Sequence, residues 1–138
     1  MNTKDVGERS EAMVIAKFMQ AGFVVLTPLG DNQRYDFAID EDGVFTRIQV
    51  KTAKMFDNSY IRAHTCSSSY HRGGTKKLYK GEADLFALYC PTNDSIYIVP
   101  VNAVGFDVAL RISATKNNQM KSVRLAKDFT FESWVAQR

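Results

Sequence analysis

Apolar and polar positions along the chain sort into a short list of elements. Residues 5–21 carry apolar side chains at helical spacing, with Ile15, Phe18 and Met19 as the stripe and Ala12 and Val14 beside it. Asp5 is the expected cap, Glu8 follows three residues on, and Gly22 closes the helix. Glu8 and Glu11 fall seven and four residues before Ile15, so they continue the apolar face toward the N-terminus. Carboxylates in line with a core stripe suggest that this end of the helix overlooks a polar site. Phe23–Leu26 reads as a short strand, stopped by Thr27-Pro28-Leu29-Gly30.

Strict alternation begins at Tyr35. Tyr35–Ile39, a turn at Asp40-Glu41-Asp42-Gly43 and Val44–Lys51 read as a β-hairpin. Phe37 and Ile39 share one face, with Asp36 opposite; Ile48 and Val50 share another, with Arg47, Gln49 and Lys51 opposite. An acid, an amide and an ammonium can therefore meet on one surface. Further on, Asp84–Cys90 is nearly all apolar and reads as a buried strand. Pro91–Asp94 turns the chain, and Ser95–Val101 returns as its partner in a second hairpin of the same sheet. Residues 102–112 are read as helix, against Gly105. Thr115–Lys121 is read as loop, Ser122–Ala126 as a short edge strand, and the aromatic tail Phe129–Val135 as a segment that packs on the body or on another subunit.

Charge changes the picture between residues 51 and 80. Lys51, Lys54, Arg62, Arg72, Lys76, Lys77 and Lys80 face a single acid, Asp57, and are mixed with Tyr60, Tyr70, Tyr79, His64, His71 and the hydroxyls of Ser67, Ser68 and Ser69. Read as a basic loop with its tip at Arg72–Thr75, this segment suits phosphates and bases. Arg34, just before the hairpin, joins it. The candidate DNA contacts are Arg34, Lys54, Arg62, His64, Ser67, Ser69, Arg72, Lys76, Lys77 and Lys80. The net charge of +3 over 138 residues permits a nucleic-acid partner without demanding one.

The remaining composition mostly excludes. With 45% hydrophobic and 24% charged residues, the chain reads as one globular domain over 1–138. No apolar run approaches the roughly 18 residues of a membrane span, and the first residues lack the apolar core of a signal peptide, so a cytoplasmic location is expected. Cys66 and Cys90 have no metal-binding spacing and are read as free thiols, and neither histidine is placed to bind metal.

The layout is a helix with Glu11, a strand, a strand with Asp36, a strand with Gln49-Val50-Lys51, a basic segment and a buried strand pair. It resembles the PD-(D/E)XK nuclease superfamily. The phrases Pro28–Asp36, Ile48–Thr52 and Gly81–Ala87 are similar to the branch that includes a cyanobacterial group I intron homing endonuclease. The resemblance runs to about residue 112. It implies a restriction-endonuclease-like α/β (mixed-sheet α+β) core. It also implies a site of Glu11, Asp36, Gln49 and Lys51, with Glu11, Asp36 and the Val50 carbonyl as ligands of Mg²⁺. The activity implied is double-strand DNA cleavage to a 5′-phosphate and a 3′-hydroxyl, by a homodimer or, as in that branch, a homotetramer. Two positions depart from the superfamily: Tyr35 stands for the usual proline, and Gln49 for the second acid. The branch itself carries glutamine there. A junction-resolving nuclease and a DNA-binding module without catalysis remain open alternatives on the same fold.

Overall fold

A computed structural model describes residues 1–68, 74–113 and 123–138. Helix α1 spans Thr3–Gln20. Ten strands follow among the described residues: β1 (Val24–Leu26), β2 (Phe37–Glu41), β3 (Val44–Thr52), β4 (Lys54–Phe56), β5 (Tyr60–His64), β6 (Cys66–Ser68), β7 (Lys76–Leu78), β8 (Leu85–Cys90), β9 (Ser95–Pro100) and β10 (Asp107–Arg111); helix α2 covers Phe131–Ala136. A five-stranded sheet in the order β1-β2-β3-β8-β9 forms the centre. It is mixed: β3 and β8 run parallel, and its other neighbours are antiparallel.

The two faces of this sheet are covered differently. Val14 and Phe18 of α1, together with Phe131 of α2, pack on Phe37, Ile39, Ile48, Val50, Ala87, Ile96 and Ile98. On the other face Phe86, Leu88, Tyr97 and Val99 meet Ile61, Ala63, Val108 and Leu110 from a second sheet, β10-β5-β4. The expected second hairpin, β8–β9, is present in register from Leu85↔Pro100 to Cys90↔Ser95.

Helix α1 is capped one turn earlier than its acids suggest. The Asn2 side chain accepts the Asp5 N–H at 2.9 Å, so Asp5 sits inside the first turn, where its charge complements the helix dipole. Gly22, at φ +92°, ends the helix in the left-handed conformation that glycine adopts freely. The buried stripe is Ser10-Val14-Phe18, not Ile15-Phe18-Met19, and Met19 is exposed. Spacing by four carries the stripe through Val14. Ile15 and Glu11 form the adjacent row, half-buried at its flank, and Glu8 is exposed.

The first hairpin closes through two residues only. Asp42 (φ 54°) and Gly43 (φ 90°) make the turn, and the Asp40 carboxylate accepts the Gly43 N–H at 2.7 Å.

Three expectations are corrected. The described part of residues 51–80 is not one loop, since β4, β5, β6 and β7 lie within it; Arg72 and Gly73 of the expected tip lie outside the described residues. Residues 102–112 are not a helix: Val101–Ala103 is one 3₁₀ turn, and Asp107–Arg111 is a strand paired with β5. In β5 the buried face is only Ile61 and the small Ala63, a weak apolar signal, and in β10 Ala109 between Val108 and Leu110 makes a short apolar run that fits a helix as well as a strand. The proposed edge strand at Ser122–Ala126 is a single bridge, Leu125↔Arg111, running into a 3₁₀ turn at Ala126–Asp128; its first residue, Ser122, and the expected loop Thr115–Lys121 lie outside the described residues. The aromatic tail packs on its own chain. Phe131 and Trp134 stand 5.0 and 5.5 Å from the Phe18 ring.

Candidate active site

The site forms where β2 leaves β3. The β2–β3 ladder ends at the Phe37↔Ile48 pair, whereas β8 accompanies β3 from Ile48 to Thr52. Among the described residues, Gln49, Val50 and Lys51 therefore have a strand on one side only. Asp36 fills the other side: its N–H donates to the Ile48 carbonyl at 2.9 Å, and its carboxylate accepts the Val50 N–H at 2.8 Å. A backbone donor left unpaired by the departing strand is satisfied by a side chain. The same bond fixes the carboxylate beside Gln49-Val50-Lys51.

Glu11 reaches this point from α1. One residue earlier, the buried Ser10 hydroxyl bonds the Thr52 hydroxyl at 2.6 Å, which ties the helix to the end of β3. Burial raises the Glu11 carboxyl above its ordinary range, and the nearby charges of Asp36 and Glu8 push it further. Burial raises Asp36 as well, opposed by the Val50 N–H and by Lys51. The two carboxylates are close enough for the charge of Asp36 to act on Glu11, so a positive charge brought beside them would favour their ionised forms.

Lys51 points away from the helix. Its ammonium donates to the Tyr79 hydroxyl at 3.0 Å and to the Cys66 carbonyl at 3.5 Å. The Gln49 amide donates to the Val50 carbonyl at 3.3 Å. The donors available to a cation here are carboxylate, peptide-carbonyl and amide oxygens, a hard set that fits a divalent ion of the Mg²⁺ type. Among the described residues no three His, Cys, Asp or Glu side chains group as a metal cluster. Cys66 and Cys90 are free thiols.

The candidate DNA contacts divide into three groups. Lys54 and Arg62 are cross-strand partners on β4 and β5, with His64 on the same outward face. Asp107 bonds His64 Nδ1 at 2.7 Å and pairs with Arg62 at 3.2 Å, and these two contacts hold its carboxyl below the ordinary range. Ser67, Lys76, Lys77 and Lys80 lie on or next to the β6–β7 hairpin, where Lys77 pairs with Glu82 at 3.2 Å. Arg34 is the third case. Its guanidinium bonds Ser67 Oγ, the carbonyls of Lys77 and Leu78, and Glu82, and it stacks 3.9 Å from the centre of the Tyr79 ring. It braces the hairpin against the body. Ser69 and Arg72, as well as His71, lie outside the described residues.

Two residues close to the site were not singled out by sequence. Tyr79 stood in the basic segment as one aromatic among several, and only the fold brings it to Lys51. Asp84 accepts the Arg47 N–H at 2.8 Å and both ends of the Arg47 guanidinium, while its own N–H bonds the Arg47 carbonyl. This exchange sets the start of the parallel β3–β8 pairing and so the position of Lys51 against β8.

A mixed sheet carrying an acid, then an X-K pair on the following strand, with a helix on one face, is a restriction-endonuclease-like fold. The chain belongs to the PD-(D/E)XK endonuclease family, whose model matches residues 1–132. It is 33% identical over 73 residues to Protein 5.3 of Escherichia phage T7; the match takes in 49% of this chain and 62% of the phage protein's length. Among solved structures it is similar to the bacterial homing endonuclease I-Ssp6803I, with a TM-score of 0.79 over 99% of this chain and 93% of that one, at 23% identity. At that identity the likeness is one of fold. No described helix is long and apolar enough to cross a membrane.

Proposed function

We propose that this chain is a Mg²⁺-dependent, site-specific double-strand DNA endonuclease of the homing type. The observation that carries the reading is the broken strand edge: Asp36 on the Val50 N–H, Glu11 beside it, and Lys51 one residue further along β3. Asp36, Glu11 and the Val50 carbonyl would hold the divalent ion, which supplies charge neutralisation and an activated water when bound. Lys51 stabilises the negative charge that grows on the phosphate oxygens, and its proton-bearing nitrogen orients the attacking water. Gln49, neutral and able both to donate and to accept, positions that water without adding repulsion toward the phosphate. The water oxygen bonds to phosphorus as the bond to the 3′ oxygen breaks, which leaves a 5′-phosphate and a 3′-hydroxyl.

The outward cations of β4, β5 and the β6–β7 hairpin supply the surface for the DNA backbone. Cutting both strands requires two copies of the site, so the working form is a homo-oligomer, a dimer or a tetramer. The similarity in fold to I-Ssp6803I supports the homing role. The test is selection from a plasmid library with randomised inserts in Mg²⁺. A homing-type enzyme linearises a small set of long related sites. Cutting of four-way junctions in preference to every linear duplex would assign it to junction resolution instead.

A further inference from the structure

We infer that Tyr79 is a positioning residue for Lys51, acting through its hydroxyl. The inference rests on the reading of Lys51 as the charge that meets the phosphate. A lysine carries a long flexible stem and three donors, so a strand position alone does not fix its nitrogen. Three contacts are described for that nitrogen: the Tyr79 hydroxyl at 3.0 Å, the Cys66 carbonyl at 3.5 Å, and the face of the Tyr79 ring, 4.8 Å from its centre.

The phenol is itself held on several sides. The Arg34 guanidinium stacks on its ring at 3.9 Å, and the Phe86 ring meets it edge-on at 5.5 Å and 86°. Its main-chain carbonyl accepts the Glu82 and Ala83 N–H groups at 2.9 and 3.0 Å. The residue is 5% exposed. A core position of this kind needs only a ring, and phenylalanine would fill it. Phenylalanine would keep the ring's contacts with Arg34, Phe86 and the Lys51 ammonium; what it would lose is the hydroxyl, whose partner is Lys51. Its chemistry also suits the task. A carboxylate there would cancel the ammonium charge, whereas a neutral phenol oxygen accepts a hydrogen bond and leaves the charge in place for the phosphate.

The test compares wild type, Tyr79→Phe and Lys51→Ala on the supercoiled plasmid that wild type linearises. Single-turnover cleavage is measured in Mg²⁺, duplex affinity in Ca²⁺, and thermal unfolding without DNA. Tyr79→Phe keeps the ring, the Arg34 stack, the Phe86 contact and the face under the Lys51 ammonium, and removes only the hydroxyl. It is expected to bind duplex and to melt as wild type does, yet to cleave about tenfold more slowly or worse, as expected when an interaction made in the transition state is removed. Wild-type cleavage by Tyr79→Phe beside an inactive Lys51→Ala would overturn this inference alone. A slower rate matched by an equal loss of affinity or of melting temperature would overturn it too, since a merely structural residue gives that result. Cleavage by Lys51→Ala at the wild-type rate would instead remove the reading on which it rests.

Discussion

The Asp36 carboxylate accepts the Val50 N–H at 2.8 Å, and that bond is where the fold and the chemistry meet. It closes a strand edge that β2 has abandoned, and it holds a buried acid next to the peptide carbonyl and the lysine that follow. The bond is strong enough to place the acid but does not offset its burial, which keeps the carboxyl above its ordinary range.

The stability consequence has a definite sign. A raised folded-state value means that the native protein binds a proton more readily than the unfolded chain, so stability falls as pH rises from the ordinary aspartate range through the raised value. Asp36→Asn removes the charge and keeps an oxygen for the Val50 N–H. In metal-free buffer near pH 8 its melting temperature is expected to exceed that of wild type by about 1 to 4 °C. Below about pH 3.5, where an ordinary aspartate is protonated, the gain should vanish. Calorimetry across that range checks both ends, and cleavage should be absent throughout.

Glu11 gives the complementary prediction. Burial and its acidic neighbours raise its carboxyl, and a divalent ion would relieve both effects. Mg²⁺ should therefore raise the melting temperature of wild type, more at pH 8 than at pH 6, by binding only the folded state. Glu11→Gln should shrink that rise and shift the Mg²⁺ dependence of cleavage to higher concentration. An unchanged metal titration would take Glu11 out of the site.

The hydrophobic account is tested on α1. Phe18 is fully buried among Phe23, Phe37, Phe131 and Trp134, so Phe18→Ala should cost about 3–5 kcal/mol in chemical denaturation. Met19, 61% exposed, should tolerate alanine within about 0.5 kcal/mol.

The sequence made some of this legible and hid the rest for physical reasons. The first hairpin showed itself because Phe37, Ile39, Ile48 and Val50 alternate with polar residues and Gly43 marks the turn. The β8–β9 pair showed itself because both strands are apolar almost throughout. Strand β5 stayed hidden because its inward residues are only Ile61 and the small Ala63, and β10 because Ala109 between Val108 and Leu110 leaves an apolar run that a helix fits as well. In the site, Asp36 and Lys51 could be placed together from strand period alone. The bond from Asp36 to the Val50 N–H could not, since it exists only because β2 stops at Phe37. Nothing local ties Tyr79 to Lys51, 28 residues away in sequence. Arg34 read as a cation for phosphate, while its partners at Ser67, Lys77, Leu78 and Glu82 are set by tertiary structure.

For the DNA surface, Lys76→Ala with Lys77→Ala should weaken binding to all duplexes alike. The slope of log affinity against log salt should fall by about 0.9 for each phosphate that the double variant no longer neutralises. A slope equal to that of wild type would move the backbone-binding surface away from the β6–β7 hairpin.

The central claim is that Lys51, beside the acid pair at the broken edge of β3, performs phosphodiester cleavage. The most direct measurement is Mg²⁺-dependent linearisation of a plasmid carrying a selected site, by wild type and by Lys51→Ala, with duplex binding followed in parallel. Lys51→Ala is expected to bind the site and leave it uncut. Linearisation by Lys51→Ala at the wild-type rate would contradict the claim.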